Sequence, residues 1–466
     1  MKKNMIKTNH ITEGVIWKQL LLFFFPIVLG TFFQQFYNTI DAVIVGRFVG
    51  KEALASVGGS AGQIINLVVG FFTGLTAGAT VIISQFYGAR DGKSLGESIH
   101  TAYAFSLAGS VIITIAGILL APCMLEKMNT TPELMADSTA YLQIYFGGIV
   151  FVFIYNIGSS ILRAAGDSKR PLYYLIVCCF LNIVLDILLV VVFPLGVAGV
   201  AIATLASQAV SAVLVTRALM KSSDILSLSL KEIRFHRNVL RSQLRIGLPG
   251  GLQSVMYSFS NIIIQAALNQ FGTDTTAAWA AYGKLDAIFW MISGAFGIAI
   301  TTFVGQNFGA GKYDRIKKSV RICLFMDFSV AAILVVFLML ARVPLFGIFT
   351  ADDNVIQIGS KMLEMITPCY VFFVFIEILS GALRGIGDVL IPMLLTMFGI
   401  CALRIVWVAI AVPVSPSVAT IIFSYPITWV LTSILFIIYY VYKQKRLFLK
   451  GAASKSKTPA AVTKVK

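Results

Sequence analysis

Asp41, Asn182, Asp186 and Thr204 are oxygen-bearing side chains set inside long apolar stretches, where an ionisable group is costly and marks a functional candidate by default. Asn182 and Asp186 are four residues apart, which puts both on one face of a helix. Two carboxylates, an amide and a hydroxyl make an oxygen-rich site for Na⁺. They suit a proton equally well, because two carboxylates close together in an apolar medium cannot both stay ionised. The competing reading is a hydrogen-bonded polar cluster that only fixes helix packing.

The four can cooperate only if the chain holds them level. Hydrophobic residues make up 58% of the sequence and charged residues 12%, with a mean hydropathy of +0.86. A soluble domain carries roughly 25% charged residues, so this is an all-α polytopic membrane protein. Twelve stretches, at 18–47, 53–84, 96–121, 139–161, 171–193, 196–217, 244–270, 276–306, 321–342, 357–383, 390–412 and 417–442, are each expected to span a bilayer. A hydrocarbon core ~30 Å thick takes about 20 helical residues. With the N-terminus inside, Asp41 lies ~9 Å below the outer edge, Asp186 ~10 Å and Thr204 ~12 Å, at about 1.5 Å per residue. Asn182 is one turn deeper than Asp186. All four fall in the first half of the chain.

The net charge of +16 is a topology signal rather than a nucleic-acid footprint. Thirty Lys and Arg fall on the side of the two termini, and five (Arg47, Lys51, Lys127, Arg342, Lys361) on the other. The expectation is a multi-pass protein of a prokaryotic plasma membrane, with both termini cytoplasmic. The first 20 residues carry no small-residue cleavage site, so the first helix is expected to be retained. Five of the six cysteines lie in apolar spans and read as small apolar filler, with no metal spacing.

The chain is written twice. Leu162-Arg163-Ala164-Ala165-Gly166-Asp167 returns 221 positions later as Leu383-Arg384-Gly385-Ile386-Gly387-Asp388, each followed by a proline at the same offset, Pro171 and Pro392. Gln85-Phe86-Tyr87-Gly88-Ala89 returns as Gln306-Asn307-Phe308-Gly309-Ala310, again 221 later, while Pro26 and Asn38 return as Pro249 and Asn261 after 223. Two six-helix copies with an even number of spans keep one orientation and are related by a pseudo-two-fold along the membrane normal, an arrangement typical of transporters. The expected divisions are an N-terminal tail (1–17), a first lobe (18–220), a basic linker (221–243), a second lobe (244–442) and a basic, disordered tail (443–466).

Other residues earn attention with blander alternatives beside them. In the second half Lys284, Asp286 and Arg404 lie inside spans, as do Glu364 and Glu377; pairing of these charges would suffice to neutralise them. Tyr257, Phe259, Trp279, Tyr282, Phe289 and Trp290 could line an apolar cleft. Pro26 and Pro249 interrupt helical spans, and Pro26 is a candidate hinge. Gly70, Gly74 and Gly78 recur every four residues, marking a face where helix backbones can approach. Gly58-Gly59-Ser60-Ala61-Gly62 matches a hydrolase elbow but sits in an apolar helix far from every histidine, so it carries no chemistry. No phosphate-binding loop is present. The chain is not expected to be an enzyme or to need a cofactor, and active transport would draw on an ion gradient.

Over Trp17 to Tyr442 the sequence resembles the multidrug and toxic compound extrusion (MATE) family, in its prokaryotic DinF-like branch. The residues that carry the resemblance are Pro26 with Tyr37-Asn38-x-x-Asp41, the Gln85-x-Tyr87-Gly88-Ala89 loop and its copy, the doubled Leu-Arg-x-x-Gly-Asp loops, and Asn182-x-x-x-Asp186. The resemblance implies twelve transmembrane helices in two pseudo-symmetric six-helix lobes around a central V-shaped cleft. It implies efflux of small organic, often cationic, compounds in exchange for H⁺ or Na⁺; the chain itself is expected to be a monomer in the lipid bilayer, and its charge placement gives no reason to expect nucleic acid as a partner. It places the cation site on Asp41, Asn182, Asp186 and Thr204, and polar lining on Gln34 and Asn156. Candidate substrate contacts are Gln34, Tyr37, Asn38, Asn156, Tyr257, Lys284, Asp286 and Arg404. One departure stands out: the seventh-span position where some members carry an essential carboxylate is Tyr257 here, which favours coupling through the first lobe. A lipid-linked oligosaccharide flippase of the same superfamily is the alternative, kept open by Lys284 and Arg404; a non-transporting membrane scaffold is the remote one.

Overall fold

The computed structural model describes residues 11–222 and 225–456, with side chains through Arg446, and among them there is no strand. The chain divides into two compact units. One runs from Lys18 to Ser258; the other joins Ile11–Trp17 to the chain from Phe259 onward. The division therefore falls inside a helix and not in the basic linker at 221–243.

The first unit holds α1 (Ile16–Ile44), α2 (Lys51–Gly58), α3 (Ser60–Ala89), α4 (Gly92–Lys127), α5 (Pro132–Gly147), α6 (Ile149–Ala164), α7 (Lys169–Asp186), α8 (Gly196–Met220) and most of α9 (Arg237–Asn269). A π-helical turn follows α1 at Val45–Val49, and another follows α7 at Ile187–Val192. The stretch expected as one helix at 53–84 is broken at Gly59, whose backbone leaves the helical region. The expected fourth span is a pair of helices meeting at Gly148 with a bend of 49°.

Glycine decides how α3 meets α9. A Cβ on Gly74 would stand 2.5 Å from the backbone of Gly250 and Gly251, and one on Gly78 would stand 2.2 Å from the Gln243 carbonyl oxygen. A Cβ on Gly70 would meet only Ser254, at 3.9 Å. Two of the three spaced glycines thus form a backbone-to-backbone seam, and the third does not. The linker is not a loose connection either: Leu226 and Leu228 are buried in the cluster formed by Tyr103, Val215 and Leu219.

The second unit continues from α9 with α10 (Thr273–Gly309), α11 (Tyr313–Leu340), α12 (Arg342–Gly347), α13 (Asp353–Ile366), α14 (Tyr370–Gly385), α15 (Leu390–Thr396), α16 (Leu403–Val414), α17 (Val418–Ile422) and α18 (Ser424–Ser456). A π-helical turn at Met397–Ala402 joins α15 to α16. Helix α18 covers 443–456, which the sequence reading had as a disordered tail; residues 1–10 and 457–466 of the expected tails lie outside the described residues. Once the aromatic stretch Tyr439–Tyr442 extends a helix, the Lys, Gln, Arg, Leu and Ala that follow are all good helix formers.

Among the described residues ten helices are long and apolar enough to cross a membrane, and the bent α5–α6 pair makes an eleventh. Helix α9 is of spanning length at 33 residues but carries Gln253, Ser254, Ser258, Ser260, Asn261 and Gln265, so it falls short on apolarity against the twelve spans expected.

The repeat survives as geometry. The α5–α6 break at Gly148 has its counterpart 221 residues on, in the 3₁₀ turn Thr367–Cys369 between α13 and α14. Each Leu-Arg-x-x-Gly-Asp motif is a helix stop. Gly166 and Gly387 take φ of +90° and +86°, and the amides of Asp167 and Asp388 donate to the carbonyls of Leu162 and Leu383 at 2.9 and 3.0 Å. That is the six-to-one closure of a helix C-terminus, which needs a left-handed residue and so favours glycine. The aspartates then diverge: Asp167 pairs with Arg170, whereas Asp388 accepts from Lys443 at 2.6 Å and from Tyr439 at 2.7 Å.

Ahead of α1, the segment from Ile11 to Gly14 is clasped by the second unit. The Arg315 guanidinium donates to the carbonyls of Ile11, Glu13 and Gly14 at 3.1, 2.8 and 2.8 Å, and Lys312 donates to that of Thr12 at 2.9 Å, while the Ile11 side chain is fully buried. Charge-assisted bonds contribute about 1.5–3 kcal/mol each at best, less where exposed. Arg315→Ala should therefore raise amide exchange across residues 11–17 by about tenfold or more while leaving α10 and α11 protected. Unchanged exchange would show that Ile11 and Lys312 hold the segment without Arg315.

Candidate functional site

All four residues lie in the first unit, where Asp41 and Asp186 come together, Asn182 shares the helix of Asp186 and Thr204 sits on the helix packed against it. Asp41 lies in the last turns of α1, just before the π turn at Val45, and Asp186 is the last residue of α7, directly ahead of the π turn at Ile187. A π turn takes one more residue per hydrogen-bonded ring than an α turn and re-aims the side chains around it, and such turns gather at functional positions. Asn182 and Asp186 share one face of α7 and are fully buried; Thr204 is buried on α8, which packs along α7 and both π turns. The carboxyls of Asp41 and Asp186 face one another within side-chain hydrogen-bonding reach.

The hydrogen-bond inventory of this group is incomplete. Asp41 Oδ1, both amide atoms of Asn182, both carboxylate oxygens of Asp186 and Thr204 Oγ1 are buried without a partner. An unmet buried polar atom costs ~1–3 kcal/mol, more when charged. Two carboxylates facing each other present acceptor to acceptor, so the arrangement holds only with a proton or a cation between them. Among the described residues no cluster of three or more His, Cys, Asp or Glu could hold a metal ion. Two carboxylates, one amide oxygen and one hydroxyl therefore fit a small monovalent cation rather than a transition metal.

A shell surrounds the pair, of which the sequence points only to Tyr37, as a substrate contact; Gln208, Tyr141 and Tyr145 are members it does not single out. Tyr37, buried one turn before Asp41, is hydrogen-bonded to the side chain of Gln208 on α8, and Tyr141 and Tyr145 of α5 lie within electrostatic reach. Gln208 Oε1 is a further buried acceptor without a partner. The signal available was periodicity: Gln208 is one turn from Thr204, and Tyr141 one turn from Tyr145.

The remaining candidates are dispersed. Gln34 and Asn38 are exposed on α1, and Asn156 donates its amide to the Val152 carbonyl at 2.8 Å within its own helix. Tyr257 belongs to the first unit; Lys284, Asp286 and Arg404 belong to the second. Lys284 is exposed and does not pair with Asp286 among the described contacts. Asp286 instead accepts from Tyr370 at 2.5 Å, Trp290 at 2.6 Å and Tyr282 at 3.2 Å. Arg404, two residues after the π turn Met397–Ala402, is buried with its guanidinium 3.8 Å from the centre of the Tyr425 ring. Glu364 pairs with Arg342 at 2.9 Å. Pro26 lies within α1, which runs through it as one helix.

The family model MatE matches residues 26–188 and again 249–410, so both copies are recognised separately. The chain belongs to the MatE family. A probable multidrug resistance protein of Bacillus subtilis (strain 168), YpnP, is 30% identical over 400 residues, covering 86% of this MatE chain and 89% of its own. A second from the same organism, YoeA, is 26% identical, covering 85% and 87%. Among solved structures, a MATE protein in its bent conformation superposes with a TM-score of 0.90 at 21% identity, over 96% of this chain and 99% of that one. At that identity the likeness speaks for the fold: a multi-pass, all-helical MatE protein.

Proposed function

We propose that this MatE protein is a secondary active antiporter that exports small organic compounds in exchange for H⁺ or Na⁺, coupled through Asp41, Asn182, Asp186 and Thr204. The observation that carries the reading is that these four residues all bury oxygens without a partner, with the Asp41 and Asp186 carboxyls within hydrogen-bonding reach of each other. Relatives named for multidrug resistance support the substrate class. In the cycle, uptake of one cation cancels the repulsion between Asp41 and Asp186 and supplies Asn182 and Thr204 with the partner they lack. Pro26, which cannot donate to the Leu22 carbonyl, is the point where α1 can bend in response. Gln34, Tyr37, Asn38, Asn156 and Tyr257, all of the first unit, are the substrate contacts of this reading. The protein acts as a monomer in a prokaryotic plasma membrane, with both termini cytoplasmic.

Arg404 is packed on Tyr425 and Lys284 is exposed in a separate helix, and relatives named for multidrug resistance favour the antiporter, so the flippase alternative gains no support. The test is efflux of a cationic dye from proteoliposomes under an inward Na⁺ gradient, then an inward H⁺ gradient. One of the two should drive efflux and the other should not. No efflux under either, with dye movement insensitive to both ions, would overturn the reading.

A further inference from the structure

Two carboxylates of the second unit play no part in the site above. Asp327, midway along α11, is fully buried; Ser293 of α10 donates to one of its oxygens at 3.0 Å, and the other oxygen has no partner. Glu377 of α14 reaches the same face of α10, its Oε1 lying in the space that a Cβ on Gly297 would fill. Ser293 and Gly297 are four residues apart, so the two carboxyls meet α10 one turn, ~6 Å, from each other. The field of Glu377 reaches Asp327.

The surroundings leave them without a close positive partner. Cys323 is one turn from Asp327 on α11, and Arg384, two turns beyond Glu377 on α14, is the cation whose field reaches Glu377. Asp286, two turns before Ser293 on α10, is committed to Tyr282, Tyr370 and Trp290. Helices α13 and α18 and the turn Thr367–Cys369 pack around these helices; of their charged groups, Glu364 is paired with Arg342 and Lys443 with Asp388.

The repeat supplies an internal control. At 221 residues earlier, Asp327 corresponds to Ser106 and Glu377 to Asn156. Both are neutral and satisfied: Ser106 donates to the Phe153 carbonyl at 3.3 Å and Asn156 to that of Val152 at 2.8 Å. Conversely, Asp41 and Asp186 correspond to buried Ile264 and to Trp407, whose indole donates to the Thr420 carbonyl at 2.8 Å. Each copy thus holds one acidic pair at positions where the other has none.

We propose that Asp327 and Glu377 form a second proton-binding site, inside the second unit, which binds one proton so that only one of the two carboxyls is charged. The half-buried Glu377 is the route by which that proton exchanges, and Asp327 is the sealed acceptor. The site is separate from the coupling role given to Asp41 and Asp186.

Infrared difference spectra of the purified full-length protein, recorded between mildly acidic and mildly alkaline buffer, read protonated carboxyl groups directly. A carboxylic carbonyl band should appear that Glu377→Gln and Asp327→Asn each remove and that the double variant Asp41→Asn/Asp186→Asn retains. Glu377 is the less buried of the two, so Glu377→Gln decides the matter should Asp327→Asn fail to fold. A band unchanged in Glu377→Gln, or lost only in the first-unit variant, would overturn the proposal. Failure of the first-unit coupling reading would register elsewhere, as normal efflux by Asp41→Asn.

Discussion

Asp41→Asn and Asp186→Asn should each lower ion-driven dye efflux by at least tenfold, with the protein still folded and inserted. An amide is close to isosteric with the carboxylate, so packing against Tyr37, Asn182 and the π turns is kept. What is lost is the charge that a cation must neutralise. In the wild type, the two carboxyls repel until the ion arrives, and the energy of that encounter is what the transport cycle can use. With one amide in place the pair no longer repels, an amide N–H can bond the remaining carboxylate, and the site is satisfied without an ion. Asn182→Ala and Thr204→Val remove one neutral ligand each and should weaken ion dependence without abolishing it, a graded effect that separates ligands from the charge switch. Efflux by both aspartate variants at the wild-type rate, in vesicles with matched protein content, would show that the four residues are only a packing cluster.

The second large effect is expected at the α3–α9 seam. Gly78→Val should cost more than about 3 kcal/mol, enough to abolish the folded protein in many hosts, because the new Cβ lands on a backbone carbonyl. At 2.2 Å from the Gln243 oxygen there is no flexible side chain to move aside; the two helices must separate, and every contact along them loosens. Gly74→Val should behave alike, with Gly250 and Gly251 backbone at 2.5 Å. Gly70→Ala is the control, since its Cβ meets Ser254 at an ordinary 3.9 Å, and it should stay within about 0.5 kcal/mol of the wild type. Thermal unfolding in detergent, compared across the three, reads the contrast. Gly78→Val melting together with Gly70→Ala would mean that the seam is not packed as described.

Much of this was legible before any fold was known. Depth along the spans, at a fixed rise per residue, sets Asp41, Asn182, Asp186 and Thr204 level, and the structure brings the carboxyls of Asp41 and Asp186 within reach of each other. The doubled Leu-Arg-x-x-Gly-Asp was visible as a repeat, and its glycine turns out to be there for its φ. Other features leave no mark in residue type. A π turn differs from an α turn by a slipped hydrogen bond, and Val45–Val49 or Ile187–Val192 is as apolar as any regular helix. The break at Gly59 reads in sequence like the intact glycines of α3, because only the φ and ψ chosen there distinguish it. Asp327 was passed over because a single aspartate in an apolar run has no partner in sequence; Ser293 and Glu377 come to it only when α10, α11 and α14 pack. Ile11–Gly14 looked like a free tail because what binds it, Arg315, lies some 300 positions away.

The π turn after Asp41 also bears on history. Between Asn38 and Gln85 the first copy is two residues longer than the second between Asn261 and Gln306, and this is where the offset falls from 223 to 221. The first copy spends residues there on a π turn, Val45–Val49, while α9 continues as ordinary helix to Asn269. An insertion into a duplicated helix, absorbed as a widened ring instead of a shifted register, would leave that signature. The two halves would then have parted ways by length as well as by substitution, and one residue of the added length falls before Gly50, the counterpart of Gly272, near the carboxylate that only the first half possesses.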